Sequence, residues 1–247
     1  MPAVPAWPPK SAPRLFVKPV LAAGTQIAIE GAQAHYLNRV MRIAPGDAVV
    51  LCDDVTGEWA ARVVAAGKRD VTVTCEALLR PRDDVPDFTL CAALLKKDRF
   101  DLVLEKACEL GVRRIQPVLT RRCVADKLNL DRARSILTEA AEQCARTALP
   151  EIAPLAKLET LLKSWESDRT LFFADEHGGA NAAQHFAASS GPAALLTGPE
   201  GGFDDAERAA IRALPMARAI TLGPRVLRGE TAVIAGMALW MGTRGDW

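Results

Sequence analysis

Two segments of the chain carry chemistry by residue type and spacing, 195–203 (LLTGPEGGF) and 222–231 (LGPRVLRGET). In the first, an apolar run ends in Thr197, Gly198, Pro199, Glu200, Gly201, Gly202 and Phe203, then meets a capped helix. Glycine lets a backbone approach a ligand closely, and more glycine stands here than a plain turn requires. The second leaves another strand through Leu222, Gly223, Val226, Leu227 and Arg228 and again enters a helix. In open α/β sheets ligands sit beyond the carboxyl ends of strands, so both segments read as ligand loops. Neither contains G-x-G-x-x-G or G-x-x-x-x-G-K-[ST], which disfavours dinucleotide binders and nucleotide triphosphatases. Arg228 is a candidate catalytic cation, permanently charged and able to hydrogen-bond a planar oxygen; a clamp on backbone or on Glu230 is the alternative. Arg146 is the second candidate, on the polar face of its helix one turn after Glu142, where a surface ion pair is the alternative. Glu200 is either a base or, by preference, a pin bonding the amides of its own loop.

These loops need a sheet to hold them. From residue 88 onward the pattern alternates strand and helix: strands at 88–95, 112–119, 170–174, 193–197 and 217–222, helices at 98–110, 130–148, 158–167, 182–188, 204–214 and 230–241. That rhythm predicts a mostly parallel sheet with helices on both faces. The last helix is apolar nearly all round, which predicts either a fully buried core helix or a subunit interface. Before residue 81 the signals are those of a small β-rich unit, with strands at 14–17, 26–30, 48–53, 59–65 and 71–77 and a short helix at 32–41. Such a run predicts a compact barrel. The polar, proline-bearing stretch 81–87 reads as a linker, and residues 1–13, with five prolines, as a flexible leader.

Composition narrows the class. A 49% apolar, 25% charged chain is globular, and a net charge of +1 announces no global polyanion field. Six scattered cysteines without a C-x-x-C pair, beside three histidines, argue against a metal site or disulfide scaffold and for a cytoplasmic location. The apolar run at 231–241 is too short to span a bilayer. Local basic excess at 96–122 points to nucleic acid, with a solvated charged face as the alternative.

Several motifs in order resemble the RsmE family of 16S rRNA (uracil-N3) methyltransferases, of the SPOUT superfamily. They are the two loops, Lys106–Ala107–Cys108–Glu109–Leu110–Gly111–Val112, the run 139–146 (EAAEQCAR), Arg14–Leu15–Phe16–Val17 and 35–42 (HYLNRVMR). Two positions depart from the family pattern: Cys123 stands for a common serine, and Gly229 for a hydroxyl residue. The resemblance implies a trefoil-knotted parallel sheet at 83–247 and a PUA-like RNA-binding β-barrel at 14–82. It implies S-adenosylmethionine held by Thr197, Gly198, Glu200, Gly201, Leu222, Gly223, Val226, Leu227 and Arg228. It implies a homodimer acting on a uridine near the 3′ end of 16S rRNA, within the 30S subunit. RNA contacts are expected from Arg14, Lys18, Arg39, Arg42, Arg113, Arg121 and Arg122. The alternatives are a SPOUT enzyme for another RNA and a non-catalytic RNA-binding factor; the intact loops argue against the latter.

Overall fold

The computed structural model describes residues 7–247. The chain divides into two compact units, one running to Asp84 and taking in Ala141–Ala148, the other comprising Val85–Ala140 and Leu149–Trp247.

The first unit contains β1 (Arg14–Phe16), β2 (Gln26–Glu30), α1 (Gly31–His35) continued by a π-helical turn (Tyr36–Val40), β3 (Ala48–Cys52), β4 (Gly57–Ala66) and β5 (Asp70–Pro81). Strands lie in the order β1-β3-β4-β5-β2, antiparallel except for β1 beside β3. In β2 the residues alternate, Ile27 and Ile29 inward and their neighbours outward, the two-residue period of a half-buried strand. They join Leu37, Leu51, Val63, Val71 and Val73 in one core. Bulges in the β4–β5 pairing add twist. The end strands β1 and β2 do not pair, so the expected barrel is an open, curled sheet. β5 runs on to Pro81, inside the expected linker, because a proline at the end of a hairpin forfeits no ladder bond. Of the expected leader, residues 1–6 lie outside the described residues. Trp7 donates its indole N–H to Glu76 at 2.8 Å and lies under the Arg62 guanidinium.

The second unit contains β6 (Phe88–Ala93), α2 (Lys97–Glu109), β7 (Arg114–Leu119), α3 (Leu130–Cys144), β8 (Glu151–Ile152), β9 (Ala156–Lys157), α4 (Leu158–Lys163), β10 (Thr170–Ala174), β11 (Ala180–Asn181), α5 (Ala182–Ala188), β12 (Ala193–Thr197), α6 (Asp205–Ala213), β13 (Ala217–Thr221) and α7 (Gly229–Arg244); the last turn of α3 falls with the first unit. The sheet is parallel throughout, in the order β11-β13-β10-β12-β6-β7-β8, with β9 also on β7. Both faces are covered, which is why β6 and β12 are buried at every position and apolar at all but Thr89 and Thr197. On one face Leu171, Phe173, Leu196 and Cys91 meet Leu158 of α4 and Ile211 of α6. On the other, Phe172 meets Phe186 of α5 edge to face, and Phe88 stacks on Trp240 of α7 at 4.1 Å.

Two expectations about helices are corrected. The helix predicted to reach residue 148 stops at Cys144, because Ala145 adopts a left-handed backbone (φ +62°). The last helix is not buried on every side: Val233, Gly236, Met237, Trp240 and Met241 are buried, whereas Ile234, Ala235, Ala238 and Leu239 are half-exposed. Among the described residues, no helix is long and apolar enough to cross a membrane.

Candidate functional site

The carboxyl ends of the three adjacent strands β10, β12 and β13 open into one cavity of about 360 Å³, a volume in the range of small-molecule sites. Ala174, Thr197 and Thr221, the last residues of those strands, all line it. So do eight of the nine expected cofactor residues: Thr197, Gly198, Glu200, Leu222, Gly223, Val226, Leu227 and Arg228. Gly201 faces elsewhere; its carbonyl accepts from Arg122 at 3.0 Å, and a Cβ built there would meet the Arg122 side chain.

The first loop is fastened at several points. Asp204 caps α6 by accepting from the Glu207 amide, and Glu207 reciprocates to the Asp204 amide. Those bonds, with Arg121, hold the Asp204 carboxyl below the usual carboxylate range. Glu200 accepts the backbone N–H of Lys96 at 3.2 Å, so it ties its loop to the start of α2 instead of bonding its own loop's amides. The Arg99 guanidinium lies 3.9 Å from Glu200 and 3.7 Å from Glu230, between the two loops. A Cβ at Gly229 would lie 2.7 Å from Leu95 and 3.6 Å from the Gly198 carbonyl, so bare backbone brings α7 against the first loop.

Polar groups with no protein partner mark where a ligand fits. The Thr197 hydroxyl is buried in the cavity wall without a hydrogen bond, a cost a bound ligand would remove. Arg228 is exposed on the cavity, its carbonyl starts α7, and among the described residues it makes no ion pair. The cation facing Glu230 is Arg99 instead. Arg146 is not on a polar helix face: it follows the end of α3 and is buried, 7% exposed. Residues that spacing did not reveal also line the cavity, namely Arg99, Asp175, Glu176, Thr221 and Arg225. Asp175 and Glu176 stand just past the end of β10, ahead of Gly178 and Gly179, and belong to neither of the two ligand loops read from the sequence. Buried Cys52 and Cys91 are pushed up to about 11 and about 12 by desolvation, so neither is a thiolate nucleophile at neutral pH. Cys123, at the family's serine position, accepts the Thr120 N–H at 3.4 Å.

The basic residues expected to meet RNA divide by engagement. In the first unit, Arg14 is committed to Glu58 by two contacts of 2.5 and 3.1 Å, whereas Lys18, Arg39 and Arg42 are exposed and make no ion pair among the described residues. In the second, Arg113 donates to the Val85 carbonyl, Arg121 to Asp204 and Arg122 to Gly201, although all three remain exposed.

Two family models match: an RNA methyltransferase domain over residues 82–241 and an RNA methyltransferase PUA domain over residues 29–75. The ribosomal RNA small subunit methyltransferase E of Synechocystis is 31% identical over 234 residues, covering 91% of this chain and 76% of the relative. The protein of the same name from Rickettsia conorii is 28% identical, covering 91% and 93%. Among solved structures, ribosomal RNA small subunit methyltransferase E from Neisseria gonorrhoeae bound to S-adenosyl methionine superposes with a TM-score of 0.88 at 28% identity, covering 96% of this chain and 99% of that one. A Legionella pneumophila methyltransferase in complex with the same cofactor gives 0.87 at 25% identity, with the same coverage.

Proposed function

This chain belongs to the RNA methyltransferase family, in its ribosomal RNA small subunit methyltransferase E branch, and from that membership we propose that it uses S-adenosylmethionine to methylate N3 of a uridine near the 3′ end of 16S rRNA within the 30S subunit. The observation that carries the reading is the cavity at the ends of β10, β12 and β13, with its unpartnered Thr197 hydroxyl and close-approaching backbone. Bound S-adenosylmethionine supplies an electrophilic methyl group on a sulfonium. The chain's own residues do the rest. Leu222 and Leu227 offer apolar walls to a purine ring, and the backbone of the two loops offers it donors and acceptors. Uracil N3 becomes nucleophilic once its proton passes to solvent water, and the negative charge then spreads onto the flanking oxygens. Arg228, permanently charged and without an ion pair among the described residues, stabilises that charge from the cavity wall. Holding nucleobase and methyl donor in line supplies the remaining advantage.

The proposal includes a PUA-like RNA-binding domain at 14–82, a knotted methyltransferase domain at 83–247 and a cytoplasmic location with the ribosome. It includes a homodimer formed on the half-exposed apolar face of α7. Lys18, Arg39 and Arg42, which make no ion pair among the described residues, would contact phosphate, so binding should weaken steeply with salt. The test is mass mapping of modified nucleosides in 16S rRNA from a strain lacking the gene. The expected result is loss of one N3-methylated uridine, restored by the wild-type gene and not by Arg228→Ala. An unchanged 16S map overturns the reading.

A further inference from the structure

Three carboxylates line the cavity, and they differ in what is left for a ligand. Asp175 is fully buried, with one oxygen engaged by Arg208 and the other by Arg212 at 2.6 Å. Glu200 is turned to the Lys96 amide and the Arg99 guanidinium. Glu176 is held by one oxygen alone: its Oε1 accepts from Arg208 at 3.0 Å and lies 3.6 Å from His177 Nε2. Its Oε2 has no partner among the described residues. Arg208 is itself fixed by Asp175 and by the Phe203 carbonyl at 3.3 Å, so the Glu176 carboxylate is held in one place.

The first loop is shaped around this carboxylate. Gly202 has φ +66°, and a Cβ built there would lie 2.5 Å from Glu176 Oε1. Glu176 also stands two residues beyond β10, whose neighbours β12 and β13 feed the two loops. A carboxylate just past a parallel strand, at the mouth of a crevice, is placed as ribose-binding carboxylates are in other nucleoside sites of open sheets. Its charge is already offset by Arg208, so it offers an ammonium group little net attraction. Its acceptor capacity is intact, and that suits neutral hydroxyl donors.

We propose that Glu176 accepts hydrogen bonds from the ribose hydroxyls of the nucleoside ligand in this cavity and so sets a preference for ribo- over deoxyribo-ligands. The inference rests on the cofactor reading above. It is tested by calorimetry of the full-length protein with S-adenosylhomocysteine and with its 2′,3′-dideoxy analogue. The wild type is expected to bind the ribose form about ten- to a hundredfold more tightly, the scale of a hydrogen bond to a charged group. In Glu176→Ala that ratio should fall to about one, and in Glu176→Gln, which keeps a neutral acceptor and the side-chain shape, to an intermediate value. Thermal melting checks that each variant is folded; should the alanine variant not fold, the glutamine variant carries the test. Equal binding of both ligands by the wild type, or a ratio unchanged in the folded variants, overturns the role of Glu176 while leaving the cofactor reading standing. No binding of S-adenosylhomocysteine by the wild type overturns that reading and the inference together.

Discussion

Among the described residues no carboxylate holds Arg228 at the cavity, whereas the arginines that fasten the loops, Arg99, Arg121 and Arg208, each face at least one. An unpaired guanidinium is free to meet charge that develops only during reaction. Arg228→Ala should therefore lower methyl transfer about a hundred- to a thousandfold while leaving S-adenosylhomocysteine affinity within about threefold. Single-turnover rates beside calorimetry separate the two effects; an equal loss in both would make Arg228 a binding residue. Arg228→Lys should restore little, since an ammonium lacks the planar fork. At this scale the glycine-rich loops were legible, because glycine and proline clustered after an apolar run have few other uses. Glu176 and Arg99 were not, because a single charged residue acquires a role only from what the fold brings beside it.

Elements set how far those residues can move. α7 lies against β12 through Gly236, where a Cβ would come 2.6 Å from Leu195 Cδ2. Gly236→Val should destabilise the protein by about 1–3 kcal/mol through overpacking, read as a lower urea midpoint at unchanged slope. α6 is governed by its cap. Asp204→Ala removes the acceptor for the Glu207 amide and the partner of Arg121, so a loss of about 1 kcal/mol is expected. Faster amide exchange confined to the first turn of α6 and the preceding loop would check its location. The capping box was readable from Asp204 and Glu207 three residues apart. The early end of α3 was not, since nothing about the residue type of Ala145 announces a left-handed backbone. The two-residue strands β8, β9 and β11 were equally invisible, being too short to carry a period.

For the molecule as a whole, the sequence pattern separated a β-rich part from an alternating one, but return of Ala141–Ala148 to the first unit depends on packing between distant segments, which no local pattern encodes. The first unit's response to acid is also a property of its folded state. Asp53 is buried in the β3–β4 turn, where its carboxylate accepts from the amides of Leu21, Val55 and Thr56 and from the Thr56 hydroxyl. Burial alone would raise its pKa, but these bonds together outweigh desolvation and lower it. At Glu58, burial is likewise outweighed by Arg14 and Arg80. Both groups therefore take up protons more readily when unfolded. Their contribution to stability is present above the ordinary carboxylate values, near pH 4, and is lost as pH falls toward the lowered native values. Urea midpoints measured from pH 7 to pH 3 should fall most steeply below about pH 4. Asp53→Asn should cost about 1–3 kcal/mol at pH 7, because the amide cannot accept as strongly, and should flatten the acid limb of the profile. An acid limb as steep in Asp53→Asn as in the wild type would show that the buried turn carboxylate is not what titrates with unfolding.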